Sequence, residues 1–281
     1  MSHSKQWSSA SPGLLIFLID QSGSMLEPYK DIEQTRTVFA SSVINKAIRE
    51  IIVKSFHGTT PKDRCFIVVI GYSVGAKELC SGYLSELHNN PKRIDTIKKK
   101  IADGDGGLIE KPKSIPIWVD PIEENGWTDM TQAFKMAKEI IESWIKDNPD
   151  SPAPVIINVS DGLPYYDHKD SALCARETTE IAKEIMGINT NDGNVLIFNA
   201  EIGEGKKEIR LPNSVDEIRE GGVGAEFLYE ISSVVPEGYK KAAEKNGLNL
   251  KEGSKGAVFA AEADTLIKLI DFGSSKGRGD R

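Results

Sequence analysis

The stretch Leu14-Leu15-Ile16-Phe17-Leu18-Ile19-Asp20-Gln21-Ser22-Gly23-Ser24-Met25 carries the strongest fold signal in the chain. An unbroken apolar run ends there at a carboxylate, and two hydroxyl residues follow at alternate positions. A short apolar run bounded by polar residues and glycine is typical of a strand buried on both faces, as in the centre of a parallel sheet. Ligands of open α/β sheets bind outside the carboxyl ends of the strands. The pattern therefore predicts a site at Asp20, Ser22 and Ser24.

The three side chains offer only hard oxygen donors, without a thiolate or an imidazole. Such a set suits Mg²⁺ or Mn²⁺, and less well Ca²⁺, rather than zinc. One carboxylate and two hydroxyls leave a divalent cation under-neutralised, so we expect further donors from elsewhere in the chain or from a partner. The alternative is a loop whose serines cap the next helix. Further ligand residues elsewhere in the sequence are needed to decide between a metal site and helix-capping serines.

Composition limits the function classes. The 281 residues, 27% of them charged, have a formal charge of −7, which disfavours a nucleic-acid binder because phosphate affinity depends on clustered basic residues. The polar N-terminus lacks an apolar signal segment, and no apolar run is long enough to span a bilayer. Three widely spaced cysteines (Cys65, Cys80 and Cys174) suggest reduced thiols, although a Cys65–Cys80 disulfide stays open. We expect a cytoplasmic protein with no membrane contact.

Periodicity predicts an alternation of strands and helices. The predicted strands after the first are 64–73, 77–87, 154–161, 194–201 and 256–261. The predicted helices are 28–54, a short basic helix at 91–101, 129–147, one around Cys174 to Ile185, one or two pieces in 215–231, and 262–272. The short link between the second and third strands predicts an antiparallel hairpin with the third strand at an edge.

The domain organisation follows from these elements. We expect a flexible N-terminus at 1–11, one α/β domain at 12–272 and a flexible tail at 273–281. Residues from about 89 to 127 are irregular and contain the turn-rich stretch 103–107, so they are predicted to form a surface insertion.

Two motifs that are distant from Asp20 in the sequence match the same proposed site. Thr128 stands directly before a predicted helix, and Asp161 follows another buried strand in Ser160-Asp161-Gly162. Together with Asp20, Ser22 and Ser24, this set resembles the metal-ion-dependent adhesion site (MIDAS) of von Willebrand factor A (VWA) domains. The resemblance covers about residues 12–272 and is greatest to stand-alone bacterial members, including those of tellurium-resistance type.

The resemblance implies a doubly wound, Rossmann-like α/β fold. Its mostly parallel six-stranded sheet would have strand order 3-2-1-4-5-6, one antiparallel edge strand and helices on both faces. It also implies Mg²⁺ or Mn²⁺ at the top of the sheet, with Ser22, Ser24 and Thr128 at or near the metal and Asp20 and Asp161 acting largely through water. The partner would be a protein that supplies an Asp or Glu to the metal. Phosphatase-like and kinase-like proteins of signalling, stress or defence assemblies are the candidates that the resemblance suggests.

Three aromatic residues near the proposed site, Trp127, Tyr165 and Tyr166, depart from the pattern common among relatives. Such side chains are favoured anchors at protein interfaces. The alternative, that they pack the insertion against the domain, is left open by the sequence.

A hydrolase is the competing function, because some Mg²⁺-dependent phosphatases present an Asp nucleophile at the end of a first strand. Those enzymes require a second Asp where this chain has Ser22, and no matching downstream lysine and acidic pair is visible. The sequence therefore favours a metal-dependent protein-binding module that is not an enzyme. A phosphatase that uses Asp20 as its nucleophile remains the alternative.

Overall fold

The computed structural model describes residues 3–30, 33–102, 108–122, 125–203 and 207–274. The strands in that part of the chain are β1 (Gly13–Asp20), β2 (Phe56–His57), β3 (Thr60–Pro61), β4 (Cys65–Ser73), β5 (Gly75–Tyr83), β6 (Arg93–Ala102), β7 (Leu108–Ile117), β8 (Val155–Ser160), β9 (Leu196–Glu201), β10 (Ile209–Arg210) and β11 (Ala257–Phe259). The α-helices are α1 (Arg36–Lys54), α2 (Leu84–Asn89), α3 (Met130–Asp147), α4 (Ser171–Gly187), α5 (Gly222–Glu230), α6 (Lys240–Lys245) and α7 (Ala263–Ser274). Short 3-10 helices lie at Gly23–Leu26, Val215–Gly221 and Glu237–Tyr239.

Strand β1 lies at the centre of a seven-stranded sheet with the order β10-β11-β9-β8-β1-β4-β5. It pairs in parallel with β4 on one side and β8 on the other, and β8, β9 and β11 continue the parallel part. The order of the six strands expected from the sequence agrees with this arrangement. All eight residues of β1 are buried.

Alternate residues of β1 point into two separate cores, which explains why the run Leu14 to Ile19 is apolar throughout. Leu15, Phe17 and Ile19 pack in one core with residues of α1 and α7. Leu14, Ile16 and Leu18 pack in the other with residues of α3, α4 and α5. Helices therefore cover both faces of the sheet, and its C-terminal edge is left to the loops.

The expectation of six strands with one antiparallel edge strand was wrong, because both edges are antiparallel. β5 pairs antiparallel with β4, as predicted from the short link, and β10 pairs antiparallel with β11 at the opposite edge. β10 has only two residues, which is too short to produce a detectable period-2 pattern in the sequence.

The predicted basic helix at 91–101 was also wrong, because that segment belongs to β6. β6 pairs antiparallel with β7 over ten residue pairs and forms a ribbon separate from the main sheet. The isoleucines at 94, 97 and 101 have the spacing of a helix face, but β-branched residues favour a strand once a partner strand is available. The pairing with 108–117 is a tertiary event that local spacing does not reveal.

Other boundaries shift by a few residues. α1 begins at Arg36 rather than at 28, because the hydroxyl of Thr35 accepts a hydrogen bond from Val38 N and caps the helix there. The third predicted strand ends at Tyr83, and α2 follows it. Gly75 starts β5 with φ of +81°, a conformation that favours glycine.

Some expectations fall partly outside the described residues. The turn-rich stretch 103–107 and residues 275–281 of the expected tail lie there, and α7 extends to Ser274. Cys65, Cys80 and Cys174 are all free thiols, so the alternative of a Cys65–Cys80 disulfide is not realised. None of the described helices has the length and apolar character that crossing a bilayer requires.

Candidate metal centre

Asp20 is held at the junction of the two central strands. It is the last residue of β1, and Ser160 is the last residue of the neighbouring β8. Ser160 Oγ donates to Asp20 Oδ2 over 2.8 Å, while Ser22 N donates to Asp20 Oδ1 over 2.9 Å. Both carboxylate oxygens accept a hydrogen bond and the residue is fully buried, so its orientation is fixed.

The two serines connect β1 to the second carboxylate. Ser22 Oγ and Ser24 Oγ lie 3.1 Å apart, and Ser24 Oγ donates to Asp161 Oδ1 over 3.0 Å. Ser22 is the N-cap residue of the 3-10 helix Gly23–Leu26, but its hydroxyl makes no capping hydrogen bond. The alternative that the serines act as helix caps therefore fails for Ser22, whose oxygen faces the other oxygens of the site.

Thr128 is brought to the same edge by its backbone. Thr128 N donates to Tyr165 O over 2.7 Å and Tyr165 N donates back to Thr128 O over 3.1 Å, which ties the loop before α3 to the loop after β8. Gly23 N donates to Gly126 O over 2.8 Å, which joins this loop (residues 125–128, the Thr128 loop) to the turn that carries Ser22 and Ser24 (residues 21–24, the serine turn). The Thr128 hydroxyl makes no hydrogen bond to the other four side chains, all of which belong to the described residues.

Gly23 packs closely against the side chain of Asn125. A Cβ atom at position 23 would overlap the side-chain oxygen of Asn125, whereas the nearest backbone atom, Gly126 O, would be 3.4 Å away. A larger residue at 23 would therefore require the Asn125 side chain to turn away.

Arg36 is a site residue that the sequence reasoning missed. Its Nη1 atom donates to Asp161 Oδ2 over 2.7 Å, and the two side chains are only 8% and 6% exposed. The same guanidinium lies 3.4 Å from Glu27 Oε2 and donates to Ser24 O over 3.4 Å. An arginine at the start of a helix has no spacing signal that would distinguish it from a solvated one.

Burial and like charge dominate the electrostatics of the site. Loss of solvent raises the pKa of Asp20 from 3.8 to about 7, with a further increase from the negative charge of Asp161. Burial likewise raises the pKa of Glu201, whose oxygens accept from Gly203 N at 2.6 Å and Ala260 N at 2.7 Å. Without a cation, the charged forms of both of these carboxyl groups are therefore disfavoured.

The residues present fit a hard divalent cation. A buried carboxylate with a raised pKa, a second carboxylate and adjacent hydroxyls form a set of oxygen donors that a cation would stabilise. Within the described residues, no cluster of three or more His, Cys, Asp or Glu side chains has a metal-binding arrangement. A metal here would thus depend on the hydroxyls of Ser22, Ser24 and Thr128 in addition to two carboxylates.

The three aromatic residues differ in their surroundings. Tyr165 is 42% exposed beside the Thr128 loop, and Trp127 packs edge-on against His168 with ring centroids 4.9 Å apart. Tyr166 is buried, and its hydroxyl contacts Glu177 and accepts from Thr131 Oγ1 over 3.0 Å. This placement favours a packing role for Tyr166, whereas Tyr165 offers an accessible ring near the site.

Comparison with known proteins gives similarity to solved structures only. No protein-family model and no curated protein matches the chain. BatB from Bacteroides thetaiotaomicron is 14% identical with a TM-score of 0.37, over 67% of this chain and 66% of its own. An aerotolerance-related membrane protein from Bacteroides fragilis is 14% identical with a TM-score of 0.43, over 94% and 99%. The ArnB paralog VWA2 from Sulfolobus acidocaldarius is 17% identical with a TM-score of 0.35, over 70% and 36%. These values assign the chain to no family.

Proposed function

We propose that this chain is a VWA-type protein-binding module with a MIDAS-like site, which takes Mg²⁺ or Mn²⁺ and binds an acidic side chain of a partner protein. The observation that carries the proposal is the convergence of Asp20, Ser22, Ser24 and Asp161 through hydrogen bonds of about 3 Å. These residues come from two strand ends that lie 137 to 141 positions apart in the chain, with the Thr128 loop tied to both.

Charge counting supports the role of an acidic partner. Ser22, Ser24 and Thr128 are neutral ligands, while both oxygens of Asp20 already accept hydrogen bonds and Asp161 shares its charge with Arg36. A divalent ion held mainly by neutral oxygens keeps affinity for a further carboxylate, which an Asp or Glu of the partner would supply. As partners we propose phosphatase-like or kinase-like proteins. We also propose that the chain is related to the VWA proteins of tellurium-resistance type.

A binding role accounts for the buried position of Asp20 better than nucleophilic catalysis does. A nucleophile must present a free oxygen to its substrate. Asp20 is fully buried, and each of its oxygens is engaged by Ser22 or Ser160. The hydrolase alternative would require those hydrogen bonds to be broken before attack.

Isothermal titration of the purified chain with Mg²⁺ and Mn²⁺ tests the metal site. We expect one site in the wild-type protein and loss of binding in an Asp20→Ala, Asp161→Ala double variant that stays folded. Unchanged affinity in that variant would refute the site. Turnover of a phosphate ester with saturating Mg²⁺, abolished by Asp20→Asn, would replace the binding proposal with the hydrolase.

A further inference from the structure

The β6–β7 ribbon has no partner strand on either side among the described residues. Its register runs from Arg93 opposite Ile117 to Ala102 opposite Leu108, and it forms a two-stranded sheet of its own. A two-stranded ribbon is only marginally stable in water, and its outer edges are templates for a further strand.

Prolines make the two outer edges unequal. Pro112 lies opposite Lys98 and Pro116 opposite Ile94, so both prolines occupy the same alternate set of positions. Proline fits an antiparallel pair only where its missing N–H would point away from the partner strand. The outer edge of β7 therefore lacks donors at 112 and 116.

The outer edge of β6 is open at the corresponding positions. Since the Lys98–Pro112 and Ile94–Pro116 pairs are not hydrogen-bonded pairs, the N–H and C=O groups of Ile94, Thr96 and Lys98 point outward. Thr96 lies directly opposite Ser114, the residue midway between the two prolines on β7. The outer edge of β6 thus has an outward N–H at each of these positions, whereas the outer edge of β7 lacks the N–H at 112 and 116.

The ribbon is basic within an acidic protein. It contains six basic residues and two acidic ones, a formal charge of +4 in a chain of −7; the basic residues are Arg93, Lys98, Lys99, Lys100, Lys111 and Lys113. Lys111 and Lys113 are exposed and form no ion pair with a described residue, and the Lys98–Glu110 pair at 3.5 Å is exposed and weak. This charge attracts an acidic partner and repels a basic one.

The β6–β7 ribbon also exposes apolar side chains. Ile94 is 63% exposed, Ile97 44% and Ile109 40%. Ile94 and Ile97 belong to β6 itself and lie on its opposite faces, so a strand added to β6 would have one apolar neighbour on each face.

A groove connects the start of the ribbon to the loops of the proposed metal site. Lys92, directly before β6, and Arg93, its first residue, line this groove of about 920 Å³ together with Gln21, which follows Asp20, and Asn125 of the Thr128 loop. The groove thus joins β6 to the loops that carry Asp20, Ser22 and Thr128.

We propose that the outer edge of β6 is a docking strand, on which an extended acidic segment of a partner protein adds as a third strand. This inference rests on the proposed function, because it gives the same acidic partner a second contact, although the edge itself needs no metal. Main-chain hydrogen bonds would provide affinity, and acidic side chains beside Lys98 would provide selectivity. A nucleic acid is disfavoured, because the chain outside the ribbon is strongly acidic.

The test uses a fluorescein-labelled synthetic peptide in which Glu alternates with Val, and it measures binding by anisotropy in excess EDTA. EDTA removes any contribution of the metal site. Thr96→Pro removes the outward N–H of β6, and the matched control Ser114→Pro removes the opposite outward N–H of β7. We expect about a tenfold loss of affinity in Thr96→Pro and in Lys98→Glu. Ser114→Pro and Lys241→Glu, the latter on the remote helix α6, should bind as the wild type does.

The other possible results of these binding measurements would lead to different conclusions about the outer edge of β6. No binding of the Glu-Val peptide, or equal losses in Thr96→Pro and Ser114→Pro, would overturn the docking strand. A DNA duplex that binds more tightly than the peptide and is insensitive to Thr96→Pro would identify a nucleic-acid surface instead. Self-association by light scattering that Thr96→Pro abolishes would identify a second copy as the occupant. Peptide binding that persists in EDTA but gains nothing from Mg²⁺ would support the docking strand while counting against the proposed metal function.

Discussion

Arg36 and Asp161 form a buried ion pair across the proposed metal site, with Nη1 and Oδ2 2.7 Å apart. The pair joins the first residue of α1 to the loop after β8, and Asp161 Oδ1 remains bonded to Ser24. The guanidinium thus holds one oxygen of Asp161 while the other faces the serine turn. This arrangement makes Arg36 a positioning residue for the site.

Replacing Arg36 should lower the free energy of unfolding. In Arg36→Met the buried Asp161 carboxylate loses its cation while Asp20 stays close by, so we expect the free energy of unfolding to fall by about 3–5 kcal/mol in EDTA. Urea unfolding measures this change. The control is Arg219→Met, which breaks an exposed ion pair with Asp216 and should cost less than about 1 kcal/mol. Equal effects of the two substitutions would contradict the role of Arg36.

Stability without metal should depend on the protonation of Asp20. The pKa of about 7 in the folded protein lies above the unfolded value of 3.8, so the folded state binds the proton more tightly. The resulting stabilisation is complete below pH of about 4 and is lost as the pH rises to about 7. Asp20→Asn should remove this part of the pH dependence and unfold at higher urea concentration than the wild type at pH 8 in EDTA. A wild-type and an Asn variant with parallel pH profiles between pH 4 and 7 would contradict the raised pKa.

Metal affinity should depend on the hydroxyl of Thr128. Thr128→Ala removes a neutral oxygen donor without changing the charge, and the loop stays anchored by its two backbone hydrogen bonds to Tyr165. We expect Mg²⁺ affinity to fall about tenfold, the equivalent of about 1.4 kcal/mol, with little change in the unfolding midpoint. Thr128→Ser keeps the oxygen and should retain most of the affinity in the same titration. If Thr128→Ala bound Mg²⁺ as tightly as the wild type, Thr128 would not be a metal ligand.

A polar network beneath the site should contribute to stability. Asn158 on β8 accepts from Tyr72 Oη over 2.9 Å and donates to Asn199 Oδ1 over 2.9 Å, and all three residues are buried. Asn158→Ala leaves both neighbours without this partner, so we expect a loss of about 2–4 kcal/mol in urea unfolding. Tyr72→Phe removes one hydroxyl and should cost about 1 kcal/mol. A cost for Asn158→Ala no greater than that for Tyr72→Phe would mean that the network is not cooperative.

The sequence alone determined the central features of the protein. The apolar run Leu14 to Ile19 of β1 could be recognised because a strand buried on both faces needs apolar side chains at successive positions, and every residue of this run is buried. The antiparallel β4–β5 hairpin followed from a link too short for a crossover. Asp20 and Asp161 could be assigned to one edge because each stands at the C-terminal end of a buried parallel strand, and parallel strands end at the same side of a sheet.

Only the tertiary structure decided the rest, because those features depend on contacts between distant segments. The isoleucines of β6 have helical spacing in the sequence, and the pairing with β7 makes them a strand. The two-residue strand β10 exists only because β11 provides its hydrogen bonds. Arg36 becomes a site residue because the packing of α1 places its guanidinium against a carboxylate 125 positions away, and no local pattern of side chains encodes that proximity.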